Sequence, residues 1–306
     1  MNTRRAPEPV EAMEEQPDAN QHVEALLRTV EKFQPGVRQR FAARSQLDPA
    51  FAEASLAYAA RLLSRPTLDV RTRLLVMTGQ YTMSRRHDRL RETVVAAIGQ
   101  SLDVRQVVEV ILQCSIYGGE SIVDDALEIF RDEVGKRGLL SEVMDRALRA
   151  GQRARERNFE SERSQWHPAD AADPRANALI EKHGWLGISS ALILRPRYTL
   201  DNASFLTSLD EGFASAFYDF AYGELYSRMV LDHRTRLLCM VGNTLAIGEI
   251  VQCRHHMRTA LRQGATAREV LEVLLQSCVV VGHPNVIPER IRDLVQIVES
   301  EPGASF

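Results

Sequence analysis

The 306-residue chain has no apolar run near the roughly 18 residues that a membrane-spanning helix needs, and its first 21 residues are acidic and polar with no signal-peptide core. The expectation is a cytoplasmic protein with no membrane partner. Charge of one sign is also lacking. The 38 Lys and Arg residues stand against 41 Asp and Glu, a formal charge of −3 with both signs interspersed. Such a chain has no field with which to hold nucleic acid. Only four cysteines are present, Cys114, Cys239, Cys253 and Cys278, and they form neither a CxxC pair nor a zinc-like Cys/His spacing. Three of them read as buried, reduced thiols, with Cys253 kept as a catalytic candidate, and no metal is expected.

What is present is a repeat. LDVRTRLLVMTG at 68–79 matches LDHRTRLLCMVG at 231–242, with nine of twelve positions identical. At the same offset of 163, RQVVEVILQ at 105–113 falls on REVLEVLLQ at 268–276, and Gly119 on Gly282. Two separated matches in one register argue for duplication. Upstream, 47–65 matches 209–228 once one residue of slippage is allowed.

With 44% hydrophobic residues, a chain of this length can bury two cores of about 150 residues each. Every periodic segment has the 3.6-residue period, and none alternates long enough for a strand. Asp69 and Asp232 read as N-caps, Thr266 with Glu269 as a capping box echoed by Asp103 with Gln106, and Gly264 and Gly282 as helix stops. The expectation is an all-α protein of two tandem bundles of five or six helices. The boundaries read as a disordered tail at 1–21, a first unit at 22–135, an exposed connector at 136–172 and a second unit at 173–300.

In the second unit Leu231 to Leu238, His256 to Thr266, Glu272-Val273 and Gly282-His283-Pro284 run in the order L-D-x-R-T-R-x-L, H-x-x-x-A-L-x-x-G-x-T, E-V, G-x-P. That order resembles the core of carboxymuconolactone decarboxylase and AhpD-like proteins. The resemblance implies an all-α fold, no required metal or organic cofactor, and units paired about a two-fold axis, often in hexamers. A fused pair would then act as a pseudo-dimer, and the chain as a homo-oligomer, either a trimer of fused pairs or a dimer. The first unit departs from the pattern, with Thr93 for His256, Leu90 for Cys253 and Gly119-Glu120-Ser121 for the Gly-x-Pro ending. It is expected to have lost histidine chemistry while walling the pocket of the second.

Glu249, Cys253 and His256 fall at i, i+4 and i+7 of one helix, placing a carboxylate, a thiol and an imidazole on one face. The AhpD branch uses a CxxC pair with a histidine four residues after the second cysteine. The matching positions here are Glu249 and Gln252, so Cys253 lacks a resolving partner. What remains resembles the cofactor-free branch. There His256 is the general acid or base, Glu249 orients it or relays its proton, and Arg236, with Arg234 the lesser choice, holds a substrate carboxylate. His283 and Tyr117 are read as pocket residues. The stripe of Glu269, Glu272 and Gln276 reads as a solvated edge, or, more sharply, Glu272 lines the pocket. His255 should face solvent. Recurrence of Arg71 and Arg73 as Arg234 and Arg236 points instead to salt bridges within or between units.

The leading functional expectation is a lyase- or isomerase-type enzyme moving protons on a small unsaturated acid, lactone or carbonyl compound. The alternatives are a Cys253-dependent peroxidase or redox protein, and a binding or assembly protein without catalysis.

Overall fold

The computed structural model describes residues 19–145, 157–283, 288–301 and 303–306. Among these every regular element is helical and none is a strand. The first half holds α1 (Ala19–Glu31), α2 (Val37–Ser45), α3 (Pro49–Leu63), α4 (Val70–Met83), α5 (His87–Gly99), α6 (Val104–Gln113), the single turn α7 (Ser115–Gly118), α8 (Glu120–Gly135) and α9 (Leu140–Asp145). After it come α10 (Phe159–Arg163), α11 (Pro168–Ala171), α12 (Pro174–His183), α13 (Trp185–Leu194), α14 (Thr199–Leu209) and α15 (Glu211–Tyr218). The last runs on as a π-helix (Asp219–Tyr226), followed by α16 (His233–Ala246), α17 (Ile250–Arg262), α18 (Ala267–Val280) and α19 (Glu289–Ser300). No helix of the described residues is long and apolar enough to cross a membrane.

The helix starts follow their caps. Asp69 accepts from the Thr72 amide at 2.9 Å and Asp232 from the Thr235 amide at 2.8 Å, while Thr266 and Glu269 close a reciprocal capping box ahead of α18. The bounds of α4 and α5 recur at an offset of 163 as those of α16 and α17, and α6 and α18 start in the same register. The one-residue slippage upstream coincides with the π-helix. A turn closed by i→i+5 bonds takes up one residue more than an α-turn, so 209–228 can lie where 47–65 lies without breaking the helix.

At the centre α4 packs on α16, and 72–83 and 235–245 are buried without interruption. Two glycines permit the approach. A Cβ on Gly79 would lie 1.9 Å from Asn243 Oδ1, and one on Gly242 would lie 2.8 Å from Val76 Cγ1. Ion pairs then exchange between the halves. Arg73 Nη2 donates to Glu272 Oε2 at 2.8 Å and Arg236 Nη2 to Glu109 Oε1 at 3.0 Å, with Gln276 and Gln113 on the respective Nη1 atoms. The same two guanidinium groups donate to the Arg65 and Arg228 carbonyls at 2.8 and 2.7 Å. Each pair is the other shifted by 163 residues with the halves exchanged.

Several expectations are corrected here. Arg236 is fully buried and committed to Glu109, so its fork is not open to a substrate carboxylate. Glu272 and Gln276 are not a solvated edge and do not line a pocket. They are at most 1% exposed and hold Arg73, with Arg65 completing Glu272 at 2.7 Å. Arg71 and Arg234, by contrast, bond the residues one turn earlier on the facing helices, Gln106 and Glu269.

The connector is exposed at 136–144 apart from Leu139 and Val143, as expected, but from Arg157 on it is tied into the second half. Arg157 pairs with Glu162, Trp166 Nε1 donates to Ser189 Oγ at 3.1 Å, and buried Asp170 accepts from the Arg197 amide at 2.8 Å. Its charged composition serves an interior polar network on α13. Of the N-terminal tail, 19–21 begin α1 and the rest lies outside the described residues.

Candidate functional site

The expected trio divides between two places. Glu249 is the N-cap of α17, accepting from the Gln252 amide. It lies with Cys253 and Arg290 on a cavity of about 260 Å³. Cys253 is 0% exposed, and burial pushes its thiol up to about 11, so it stays protonated. His256, one turn further along, faces elsewhere. Its Nε2 is 2.6 Å from the Tyr117 hydroxyl, and its Nδ1 has no partner among the described residues. Glu249 therefore does not orient His256, because the cap bond holds the carboxylate at the helix start while the imidazole meets the first half of the chain.

Tyr117 is brought by α7, the turn preceding Gly119, whose φ of 75° lets the chain reverse into α8. The expected wall residue from the first half thus touches the expected histidine. His283 goes elsewhere again, with Nε2 2.7 Å from the Tyr58 hydroxyl. Pro284, the end of the expected Gly-x-Pro, lies outside the described residues.

Around the Tyr117–His256 pair stand groups that sequence reasoning did not single out. Arg195 ends α13, only 9% exposed, with its guanidinium 4.4 Å above the Tyr198 ring. The end of α15 and the π-helix line up Tyr218, Tyr222 and Tyr226, whose ring centroids follow at 5.5 Å intervals. The close backbone approach that sets this row is specific. A Cβ on Gly187 of α13 would stand 2.8 Å from the Gly223 amide nitrogen. The i, i+4, i+8 tyrosine spacing and the Gly187 packing site were visible in the sequence, but each reads equally well as ordinary core.

Electrostatically the site is neutral imidazole against one cation. Burial first, then Arg195 and His255, hold His256 well below its ordinary value. His255 does not face solvent as expected. Its ring lies near Tyr198, its Nε2 is buried without a partner among the described residues, and burial with Arg195 takes it down to about 3. Burial also raises Tyr226 well above the usual phenol range, with Tyr117 and Tyr222 as neighbours. Tyr226 and Arg195 both lie against the Tyr117 hydroxyl, although the Tyr226 hydroxyl and Arg195 Nε, like His256 Nδ1, make no hydrogen bond of good geometry among the described residues. Among the described residues no group of three His, Cys, Asp or Glu side chains is placed to hold a metal ion.

An all-helical chain with a buried histidine on the helix after the L-D-x-R-T-R segment can be set beside known proteins. Residues 211–287 match the Carboxymuconolactone decarboxylase family, a stretch running from α15 through α18. Over 79 residues the chain is 32% identical to the 4-carboxymuconolactone decarboxylase of Acinetobacter baylyi, covering 26% of this chain and 59% of that enzyme's length. The likeness supports a carboxymuconolactone decarboxylase-type domain in the second half, the half that carries His256.

Proposed function

We propose that the chain is a fused pseudo-dimer of two carboxymuconolactone decarboxylase-type units, whose second unit catalyses proton transfer on a small unsaturated acid or lactone acid. The observation that carries this reading is the buried Tyr117–His256 pair with Arg195 and Tyr226 beside it and His256 Nδ1 unpaired among the described residues. The reciprocal Arg73–Glu272 and Arg236–Glu109 pairs support the pseudo-dimer, being what a two-fold axis between duplicated units requires.

The chemistry follows from charge. A substrate carboxylate paired with Arg195 offsets the cation that, after burial, does most to hold His256 neutral, so binding shifts the imidazole toward carrying the proton that the reaction needs. In a decarboxylation, the bond from the leaving carboxylate to the carbon framework breaks and its electron pair enters the conjugated system. The His256 imidazolium then protonates carbon as CO₂ departs, and Tyr117 stays within hydrogen-bond reach of Nε2 throughout. Isomerisation uses the same pair, with His256 taking the proton before returning it. Cys253 stays outside this scheme because its thiol is protonated and faces a different cavity.

The test is turnover of 4-carboxymuconolactone and related unsaturated lactone acids, followed by ultraviolet absorbance. His256→Asn should lower kcat by about 100-fold or more, and Arg195→Gln should act mainly on KM. A wild-type rate unchanged in His256→Asn sinks the acid–base role. The absence of turnover of any such acid favours the non-catalytic binding or assembly protein.

A further inference from the structure

The first unit lacks the histidine, yet it borders a sizeable cavity of its own. A cavity of about 350 Å³ lies between α2, α3, α5 and the end of α18. Its far wall is Cys278 to Val280, the residues that a shift of 163 relates to Ser115, Ile116 and Tyr117. That wall is therefore the counterpart of the turn that carries Tyr117, with the halves exchanged.

The cavity's chemistry has been rebuilt. Arg86 and Arg89 occupy the positions of Glu249 and Gln252, and Arg40 and Arg44 join them from α2. Four guanidinium groups line the cavity and no carboxylate does. Arg40 and Arg89 share the nearby Glu92, and Arg40 also donates to Gln34 Oε1 at 3.0 Å. Arg44 has only the Ser55 hydroxyl, at 3.0 Å, and Arg86 has no ion-pair partner among the described residues. Val37, Leu56 and Val280 add an apolar lining to the same cavity, and the Tyr81 hydroxyl is held by Gln34 at 3.3 Å.

We infer that this cavity is a second binding site, taking a small amphipathic anion whose carboxylate or phosphate head meets Arg44 and Arg86 while its apolar body lies on the lining from α2, α3 and α18. The volume suits one small ligand, and paired guanidinium groups suit a planar or tetrahedral oxyanion. Val280 stands where Tyr117 plugs the second unit, which leaves this one open. The site requires no histidine, and Thr93 at the His256 position is fully buried and bonds only the Arg89 carbonyl, at 2.9 Å. The first unit is thus a ligand-binding half, and the second the half with acid–base groups.

The test is calorimetric titration of the full chain with 4-phenylbutyrate and with phenyl phosphate, using 4-phenylbutanol as the uncharged control. Saturable binding of either anion, weakened about 10-fold or more in the exposed pair Arg44→Ala/Arg86→Ala and unchanged in His256→Asn, is the expected result. Which anion binds more tightly identifies the head group. Binding that survives in the arginine variant, that is lost in His256→Asn, or that the alcohol matches overturns the site, as does failure of both anions to bind. Because His256→Asn reports on the other unit, the site stands or falls separately from the catalytic reading.

Discussion

Glu109 is the position where the central packing can be tested most sharply. Its carboxylate is fully buried and meets Arg236 at 3.0 Å, Arg105 at 3.5 Å and Arg228 at 3.8 Å. Glu109→Gln preserves shape and leaves three guanidinium groups around a neutral amide. Arg236→Met leaves the carboxylate with two arginines still beside it. Breaking a buried pair from the side that strands the charges costs about 3–5 kcal/mol, so Glu109→Gln belongs in that range and Arg236→Met below it. With an unfolding entropy of about 2.1 cal/mol/K per residue, the glutamine variant should lose about 5–8 °C of Tm. Because both groups act through one contact, the double variant should cost less than the sum by about 0.5–3 kcal/mol. Trp166 and Trp185 provide the fluorescence signal for thermal and urea unfolding of the four proteins in the cycle. A Glu109→Gln loss under about 1 °C, or strict additivity, would refute the claim that this exchange holds the halves together.

Acid should act through the buried histidines. Burial takes His233 down to about 4 and His255 to about 3, so from about pH 6.5 downward the unfolded chain binds protons that the folded chain does not. Stability is therefore full above about pH 6.5 and falls as pH drops toward 4, at no more than about 1.4 kcal/mol per pH unit per histidine. His233→Asn should flatten the Tm profile across that window, and an unaltered profile would count against it. Thiol titration with a chromogenic disulfide should leave Cys114, Cys239 and Cys253 unreacted in the native protein, with Cys278, on the arginine-lined cavity, reacting first. Fast labelling of Cys253 would restore the redox reading. Gly187→Ala should unfold or loosen the π-helix, since its methyl would meet the Gly223 backbone, whereas Gly242→Ala meets side chains and should cost only about 1–3 kcal/mol. Circular dichroism and melting of the two variants compare them directly.

The helical class, the caps at Asp69, Asp232 and Thr266, and the register of 163 were legible because each is a local pattern with a local cause. The fate of Arg236 and Glu272 was not. Recurrence in a half without the histidine already pointed to salt bridges, but periodicity cannot say that a polar stripe meets the other half rather than water. His255 failed for the same reason, since Tyr198 and Arg195 reach it from a distant helix. Tyr117 and His256 were each picked from the sequence, but only the fold joins them across 139 residues. Arg195 carries no motif at all, and its importance comes from being the cation nearest to a cluster of phenols and imidazoles. The single inserted residue was seen as slippage, and its structural form is the π-helix that presents Tyr222 and Tyr226.

The two halves are bound by the same contacts and differ in what they leave open. Each central ion pair takes its arginine from one half and its carboxylate from the other, so neither half can drop its Arg-Thr-Arg segment or its glutamate without unpairing a buried charge in its partner. That constraint accounts for the strong repeat at 68–79 and 231–242. It does not reach α5 and α17 or their caps. There Arg86 and Arg89 replace Glu249 and Gln252, and Thr93 replaces His256. These positions make none of the central ion pairs, so a change at them leaves the contacts between the halves intact.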